Sequence, residues 1–434
     1  MKQYKDSGIE WIGKIPVSWD VKRLKEIFVE RNNRDAKGKT LLSVSQYYGI
    51  KPKAETDIAD SHIAESYDDY KVVQKGDFVM NIMLAWNGSY AVSDYEGIVS
   101  PAYCVYQFRK ECCHKYLHYL LRTDGYQTAF KTMSRGIIDS RLRLYPEQFY
   151  TFNTIFPPVN EQQRISDYLD EKCGEIDSLI GLQEQMIEKL KAYKQSVITE
   201  AVTKGLDPNA KLVPSGIDWI GEIPEGWKIL RIKNISSDYK AGPFGSALIT
   251  GNLLHEGSIL VYTPEHVADT SKISQNLNNL YLQEERREEM SQFFVKAGDV
   301  VFPIVGSLGR AIIIDEHMPE GIINQRLSKF SINREKIDEG YFMWLFGKSE
   351  FYAKYIEMNC RGSFIVNLTK VIVGDMPLPL PSLCEQQAIA SYLNEKCVDI
   401  DHLIALKQQK IEALKDYKKS VIYEAVTGKT IIEH

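Results

Sequence analysis

Apolar residues fall at Ile176, Ile180, Ile187, Leu190 and Val197, and again at Ile400, Ile404, Ile411, Leu414 and Val421. Steps of four, seven, three and seven keep one stripe on one helix face, the heptad of a helix seam. Gln183 and Lys407 interrupt the stripe at matching places, as do Lys194 and Lys418; a polar seam position fixes register at some cost in stability. The pattern predicts two long helices. The first, from about Cys173 to Thr203, would rise about 45 Å at 1.5 Å per residue. Two such helices in one chain can pair antiparallel about a pseudo-twofold axis. Heptads most often bury core and nothing more; here one face would pair the helices and the outer face would be left for partners.

The heptads belong to a larger repeat. SGIEWIGKIPVSW, Ser7 to Trp19, returns as SGIDWIGEIPEGW, Ser215 to Trp227. A second block, EQQRISDYLDEKC from Glu161 to Cys173, returns as EQQAIASYLNEKC from Glu385 to Cys397. Between these ends the two inserts diverge, and the second is longer by 16 residues, the difference between offsets of 224 and 208. Similar frames enclosing unlike inserts are the mark of an internal duplication.

Within the inserts, Gly76-Asp-Phe-Val-Met-Asn-Ile-Met and Gly298-Asp-Val-Val-Phe-Pro-Ile-Val each read as a turn followed by a strand, as do Gly97-Ile-Val-Ser-Pro and Gly321-Ile-Ile-Asn-Gln. Tyr116 to Met133 and Tyr341 to Met358 read as helical. Gly205-Leu-Asp-Pro-Asn closes the first long helix with a glycine and a nearby proline, placing a boundary near residue 206. The fold class is therefore α+β: two mixed α/β domains separated by two long antiparallel coiled-coil helices in a pseudo-twofold internal repeat. The expected domains are 1–160, a spacer helix region 161–205, a second domain 206–384 and a second spacer helix region 385–434.

A chain of 434 residues with 44% hydrophobic and 26% charged residues is globular and long enough for two cores. No run of about 18 apolar residues could span a bilayer, and the N-terminus lacks a signal-peptide core; a cytoplasmic location is expected. Seven cysteines without a CxxC pair read as reduced thiols rather than a disulfide or zinc framework. The formal charge of −5 argues mildly against a nucleic-acid ligand, because counterion release rewards Lys and Arg. Residues 161–205 and 385–429 hold 16 acids against 13 bases, so the remainder is nearly balanced and any basic face must be local.

Enzymatic motifs fail. Phe156-Pro-Pro-Val159 lacks both the polar residue and the aromatic that clamp a flipped adenine. Gly428-Lys-Thr430 has Tyr423 where a P-loop needs glycine. The eight histidines show no HExxH spacing, so no metal site and no catalytic residue is expected. Asn87, Asn234 and Asn367 match glycosylation acceptors, which carry meaning only in a secreted chain.

The order insert, helix, insert, helix, with SGIxWIGxIPxxW ahead of each insert and EQQ opening each helix, resembles the specificity subunits of type I restriction-modification enzymes. Ala241-Gly-Pro-Phe-Gly-Ser246, Gly298-Asp-Val-Val-Phe302 and Gly306-Ser-Leu-Gly-Arg310 also look like phrases of that family's recognition domains. The resemblance implies a non-catalytic DNA-recognition subunit. Each insert would be a target recognition domain reading one half of a bipartite, asymmetric site in double-stranded DNA, with the helices as ruler. It further implies two methyltransferase subunits docked on the helices and restriction subunits in the full complex. S-adenosylmethionine and ATP would belong to those partners, leaving no cofactor in this chain.

Base readout needs Arg, Lys, Asn or Gln on loops that reach a groove edge, with other donors on phosphates. The first insert offers Arg31 and Arg34 for phosphate, Trp86 and Asn87 in a turn, and the cluster Arg135, Arg141 and Arg143. The second offers Lys240 and Ser246 beside a glycine-proline turn, Arg310, Gln325 with Arg326, and Arg361 with Asn367. A plain surface role competes for each. A stand-alone DNA-binding regulator, a nuclease with its site in the inserts, and a scaffold that never touches DNA are the rival readings.

Overall fold

The computed structural model describes residues 3–34, 38–46, 49–56, 67–138, 141–243, 248, 253–267, 279–305, 309–348, 350–359 and 368–432. The chain forms two compact units, one built from Met1–Glu184 with Gln408–His434 and the other from Gln185–Lys407.

The first unit opens with a hairpin of Tyr4–Asp6 and Lys14–Pro16. Strand Asp20–Arg23 then pairs antiparallel with Asn153–Phe156, so the two ends of the insert are stitched together. Inside lies an antiparallel four-stranded sheet in the order Phe28–Glu30, Tyr103–Phe108, Phe78–Asn81, Tyr90–Val92. All four residues of Phe78–Asn81 are buried, because the strand has core on both faces. Phe78, Met80, Cys104 and Tyr106 join one cluster, while Val79, Ala91 and Val105 join another. A strand covered on both sides reads as a continuous apolar run, which is the pattern after Gly76.

The second unit repeats this plan with different side chains. Lys228–Arg231 pairs with Pro377–Leu380. Its four-stranded sheet has the corresponding order Ser236–Ala241, Leu327–Ile332, Asp299–Pro303, Ile312–Ile313. Val300, Phe302 and Phe330 face one cluster, and Val301, Ile312 and Leu327 the other. The first strand carries a bulge between Ser237 and Lys240, with Asp238 at φ +53°. A separate strand, Ile259–Tyr262, runs parallel to Gly321–Ile323 and antiparallel to Tyr281–Leu282.

Both expected insert helices are broken in two. The first divides into His114–Leu121 and Asp124–Met133, the second into Glu339–Phe346 and Glu350–Asn359. Thr123, in extended backbone, restarts the first, and Gly347 ends the first half of the second.

The long helices begin earlier than the heptads indicate, at Val159–Lys204 and Leu383–Val426. The first is 46 residues, a rise of about 69 Å at 1.5 Å per residue, rather than about 45 Å. The added turns bury Ile165, Leu169 and Cys173 in the first unit and Ile389, Leu393 and Cys397 in the second. Gly205, at φ +76°, follows the first helix as its closing glycine. Of the seam residues, Ile176, Ile187, Val197, Ile400 and Ile411 are buried, and Ile180, Leu190, Ile404, Leu414 and Val421 are half-buried.

Each unit is completed by the C-terminal part of the long helix that belongs to the other sequence repeat, which lies within that same unit. In the first, Ala425 and Val426 join the core and the Tyr116 hydroxyl donates to the Val426 carbonyl at 2.9 Å. In the second, Ile198, Ala201 and Val202 join the core and the Tyr341 hydroxyl donates to Val202 at 3.3 Å and Pro379 at 3.0 Å. Within the first unit Lys418 meets Asp177 at 2.7 Å while Gly428 lies against Trp19, which bonds Glu161. Within the second, Lys194 meets Asp401 at 2.6 Å while Gly205 lies against Trp227, which bonds Glu385. In both units the paired helical segments run antiparallel. No helix among the described residues is long and apolar enough to cross a membrane.

Candidate nucleic-acid interface

The repeated blocks supply the scaffold on which the loops stand. Glu161 accepts the Trp19 indole N–H at 2.7 Å, and Glu385 accepts that of Trp227 at 3.4 Å. The next residue, fully buried in both copies, works like a clip. The Gln162 side chain accepts from the Cys113 amide and donates to the Pro157 carbonyl; Gln386 does the same with Asp338 and Pro381. Each buried amide thus satisfies the start of an insert helix and the turn before the long helix, as a buried polar group must.

The Gly-Asp turn is the second shared support. Asp77 accepts the Gln74 amide and Asp299 the Lys296 amide. Their cations come from different places. Asp77 holds Arg31 at 3.1 Å, whereas Asp299, 1% exposed, holds Lys329 at 2.7 Å and accepts the Ser331 hydroxyl at 2.6 Å. Burial raises the Asp77 carboxyl above its ordinary value, offset in part by the Gln74 amide and Arg31.

Arg31, nominated for phosphate, is placed against this carboxylate. Its guanidinium meets Asp77 and, at 3.1 Å, Gln107. Arg34 is exposed and leans on Asp69 at 3.3 Å and Asn32 at 3.4 Å.

The other nominees of the first insert come together. Ala85–Asn87 forms a single turn ended by Gly88 at φ +88°. The Trp86 indole donates to Met83 at 3.1 Å, Asn87 accepts from Ser89 at 2.8 Å, and Lys131 lies over the Trp86 ring at 5.1 Å. A Cβ on Gly88 would meet Gln127 at 3.2 Å, so the turn is packed on the Asp124–Met133 helix. That helix runs into a hairpin stem in which Arg135 and Arg143 exchange two 2.9 Å backbone hydrogen bonds. The Leu144 amide then bonds the Ile82 carbonyl at 2.9 Å, tying the stem to the Trp86 turn. Arg135 and Arg141 are exposed, Arg143 half-exposed, and among the described residues none has an ion-pair partner.

In the second insert the structure joins Lys240 to the Gln325-Arg326 turn. Gly242 passes so close to the Asn324 carbonyl that a Cβ would overlap it, and the Gly242 amide bonds Leu327 at 2.9 Å. Gln325 and Arg326 are exposed, with Arg326 reaching Glu265 at 3.8 Å. Lys240 Nζ lies 5.9 Å from the Phe293 ring. Arg310 is exposed beside Gly309, which has φ +82°. Ser246, Arg361 and Asn367 lie outside the described residues.

Two features escaped the sequence reading. Lys131 is marked only by its place on a helix that packs on the Trp86 turn. Ile137 and Ile138 are 100% and 53% exposed between the hairpin arginines; an apolar pair inside a polar loop was their signal. Among the described residues no group of His, Cys, Asp and Glu could hold a metal ion.

Each unit thus carries a related sheet with exposed arginine, asparagine or glutamine on its loops, the side-chain types that nucleic-acid recognition uses. Residues 16–192 and 224–416 match the type I restriction modification DNA specificity domain, and the chain belongs to that family. Specificity subunits are the non-catalytic DNA-recognition components of type I restriction-modification systems. The chain is 25% identical to the type I restriction enzyme MjaVIII specificity subunit of Methanocaldococcus jannaschii over 100% of its length and 98% of the relative's. It is also 25% identical to the MjaX specificity subunit of the same organism, over 96% and 95%. It superposes with a TM-score of 0.72 on a chain solved in work on assembly and conformational transition of the type I R-M system, at 18% identity, covering 96% of this chain and 99% of that one. The HsdS subunit from Thermoanaerobacter tengcongensis superposes at 0.54 and 16% identity, over 96% and 98%.

Proposed function

We propose that the two inserts read unlike halves of one split, asymmetric sequence in double-stranded DNA. The carrying observation is that one sheet order recurs in both units while the exposed loops differ: Trp86, Asn87 and the arginine hairpin in the first, Lys240, Gln325, Arg326 and Arg310 in the second. Equal scaffolds with unequal loops favour reading two sequences in one frame. Arginine, asparagine and glutamine are the side chains that pair with base edges in the grooves.

The long helices are the spacer and the docking surface for two methyltransferase subunits, with restriction subunits joining in the full complex. Besides its buried seam, the first helix carries an exposed stripe at Leu179, Leu182, Met186 and Tyr193; the second carries Leu403, Leu406 and Tyr417 at the matching positions. Exposed apolar residues at heptad spacing favour packing by further helices. S-adenosylmethionine and ATP are assigned to those partners.

The test is mapping of methylated adenines in cells carrying this chain with its neighbouring methyltransferase, against cells lacking only this chain. A split motif that disappears with the chain is the expected result. An unchanged pattern in a demonstrably active system overturns the proposal.

A further inference from the structure

We propose that the second unit carries a binding pocket for a phenolic acid, a planar ring with an oxygen at one end and an anionic group at the other. The pocket lies between the Ile232–Ile235 helical turn, the Ser236–Ala241 strand and the Lys370–Gly374 helix. It measures about 400 Å³ and is lined by Lys233, Ser236, Tyr239, Lys370, Val371 and Gly374 among others. None of these six is a nominated DNA contact.

The duplication shows what the pocket lacks. The Leu24 amide bonds the Phe152 carbonyl at 2.8 Å as the Ile232 amide bonds Met376 at 3.1 Å, and the Arg109 amide bonds Ile27 at 2.7 Å as the Asn333 amide bonds Ile235 at 2.8 Å. These matched bonds equate Phe28 with Ser236, Glu30 with Asp238 and Tyr150 with Gly374. In the first unit the Phe28 ring is fully buried, 5.6 Å from Phe149 and 6.0 Å from Tyr106. The Tyr150 ring stands edge-on to Tyr106 at 5.8 Å, and its hydroxyl accepts the Glu30 amide at 2.9 Å. The second unit has a serine and a glycine in place of these two rings, and the pocket opens among the elements that the rings pack in the first. Packing does not demand the glycine: a Cβ on Gly374 would meet only the Lys233 side chain, at an ordinary 3.5 Å.

The first unit's own occupant names the ligand class, a phenol whose oxygen accepts from the edge strand. In the second unit that strand bulges. Asp238 and Tyr239 together oppose Phe330, between the pairs Ser237 with Ser331 and Lys240 with Lys329. A bulge leaves its extra residue outside the ladder, so a backbone donor is left over for the ligand's oxygen where Glu30 serves Tyr150. The charges at the rim select the anionic group. Asp375 holds Lys233 at 2.6 Å and Arg231 at 3.1 Å. Lys370 is exposed, with its Nζ 5.9 Å from the Tyr239 ring, and among the described residues it has no ion pair. Val371, 68% exposed beside it, offers apolar cover for a ring. A bare hydrocarbon would leave Lys370 and the strand unanswered, whereas a phenolic acid engages both and covers Val371.

The experiment titrates the full chain with 4-hydroxyphenylacetate and follows binding by saturation-transfer NMR. The expected dissociation constant is on the order of 1 mM, the range for a probe of this size. Gly374→Tyr, which restores the first unit's ring, should abolish the signal, whereas Gly374→Ala should keep it. Lys370→Gln should weaken binding about two- to fivefold, the scale of one exposed charge pair. Tyr150→Gly should open a matching place in the first unit and increase the signal. A parallel titration with the acetylated Tyr-Asp dipeptide amide distinguishes the sources: tighter binding of the free acid identifies a small-molecule ligand, and tighter binding of the peptide identifies a tyrosine on an acidic segment of another protein. No signal in the parent, or a signal that survives in Gly374→Tyr, overturns the pocket. Equal binding of phenylacetate, or no gain in a folded Tyr150→Gly chain, overturns the choice of a phenol. Melting temperatures separate these outcomes from misfolding, and should Tyr150→Gly not fold, the Gly374 and Lys370 variants decide.

Discussion

The Trp19 indole N–H donates to the Glu161 carboxylate at 2.7 Å, joining the two repeated sequence blocks across 142 positions of chain. Its counterpart, Trp227 with Glu385, spans 3.4 Å and is exposed. A short charge-assisted hydrogen bond next to a buried ring is the stronger kind. Trp19→Phe should therefore cost about 1–2 kcal/mol, and Trp227→Phe distinctly less. Denaturant unfolding of both variants, with a double-mutant cycle through Glu161→Gln, measures the difference. Equal losses at the two positions would refute the ranking.

Arg31 is predicted to act on stability and not on phosphate. Arg31→Ala leaves Asp77 without its cation and should cost about 3 kcal/mol, the scale of breaking a buried pair. The salt slope of DNA binding should not change, whereas Arg141→Ala should lower it. Salt titrations of the two variants decide this.

The same logic at the other Gly-Asp turn is more severe, because Lys329 and Asp299 are 7% and 1% exposed. Asp299→Ala should cost about 3–5 kcal/mol by stranding the ammonium. Asp299→Asn combined with Lys329→Met should recover much of that loss in thermal unfolding, since a neutral pair removes the stranded charge.

Lys194 and Lys418, which interrupt the heptad at equivalent places, each reach an aspartate on the facing helix segment. These pairs are partly exposed, so each contributes about 0.2–1 kcal/mol. Lys418→Asp should lower the melting temperature modestly, and adding Asp177→Lys should restore it. Failure of the swap to restore it would show that the pair does not set register.

Burial pulls the His118 imidazole down to about 4, with Arg122 adding to the effect. The unfolded imidazole titrates near 6.5. Between those values the unfolded chain binds a proton that the folded chain refuses, so stability should fall as pH drops from 6.5 toward 4, by a few kcal/mol at most. His118→Gln should flatten that part of the stability curve. An unchanged curve would mean that His118 is protonated in the fold.

The heptad residues, the duplicated frame and the apolar strands after each Gly-Asp turn were legible because each depends on spacing along a short stretch. The early start of the long helices was legible in part. Ser382 and Glu385 form the reciprocal Ser-x-x-Glu cap, with the Glu385 amide on the Ser382 hydroxyl and the Ser382 amide on the Glu385 carboxylate. The heptad begins only at Ile176, which drew the start too late. Arg31 was illegible for a different reason. Its partner Asp77 lies 46 positions away, and nothing local tells an arginine paired with a buried carboxylate from one awaiting a phosphate. The breaks in the insert helices were missed because Thr123 and Gly347 fall where the apolar pattern continues.

The borrowing of helix ends has a consequence for synthesis. The second unit is a continuous stretch, Gln185–Lys407, whereas the first needs Gln408–His434 to be complete. On the ribosome the insert made first must wait for the chain's last segment, carrying its Ala425 and Val426 socket open, while the unit made later can close before it. A chain truncated after Lys407 and released should protect the second unit from protease and leave the first open to cleavage.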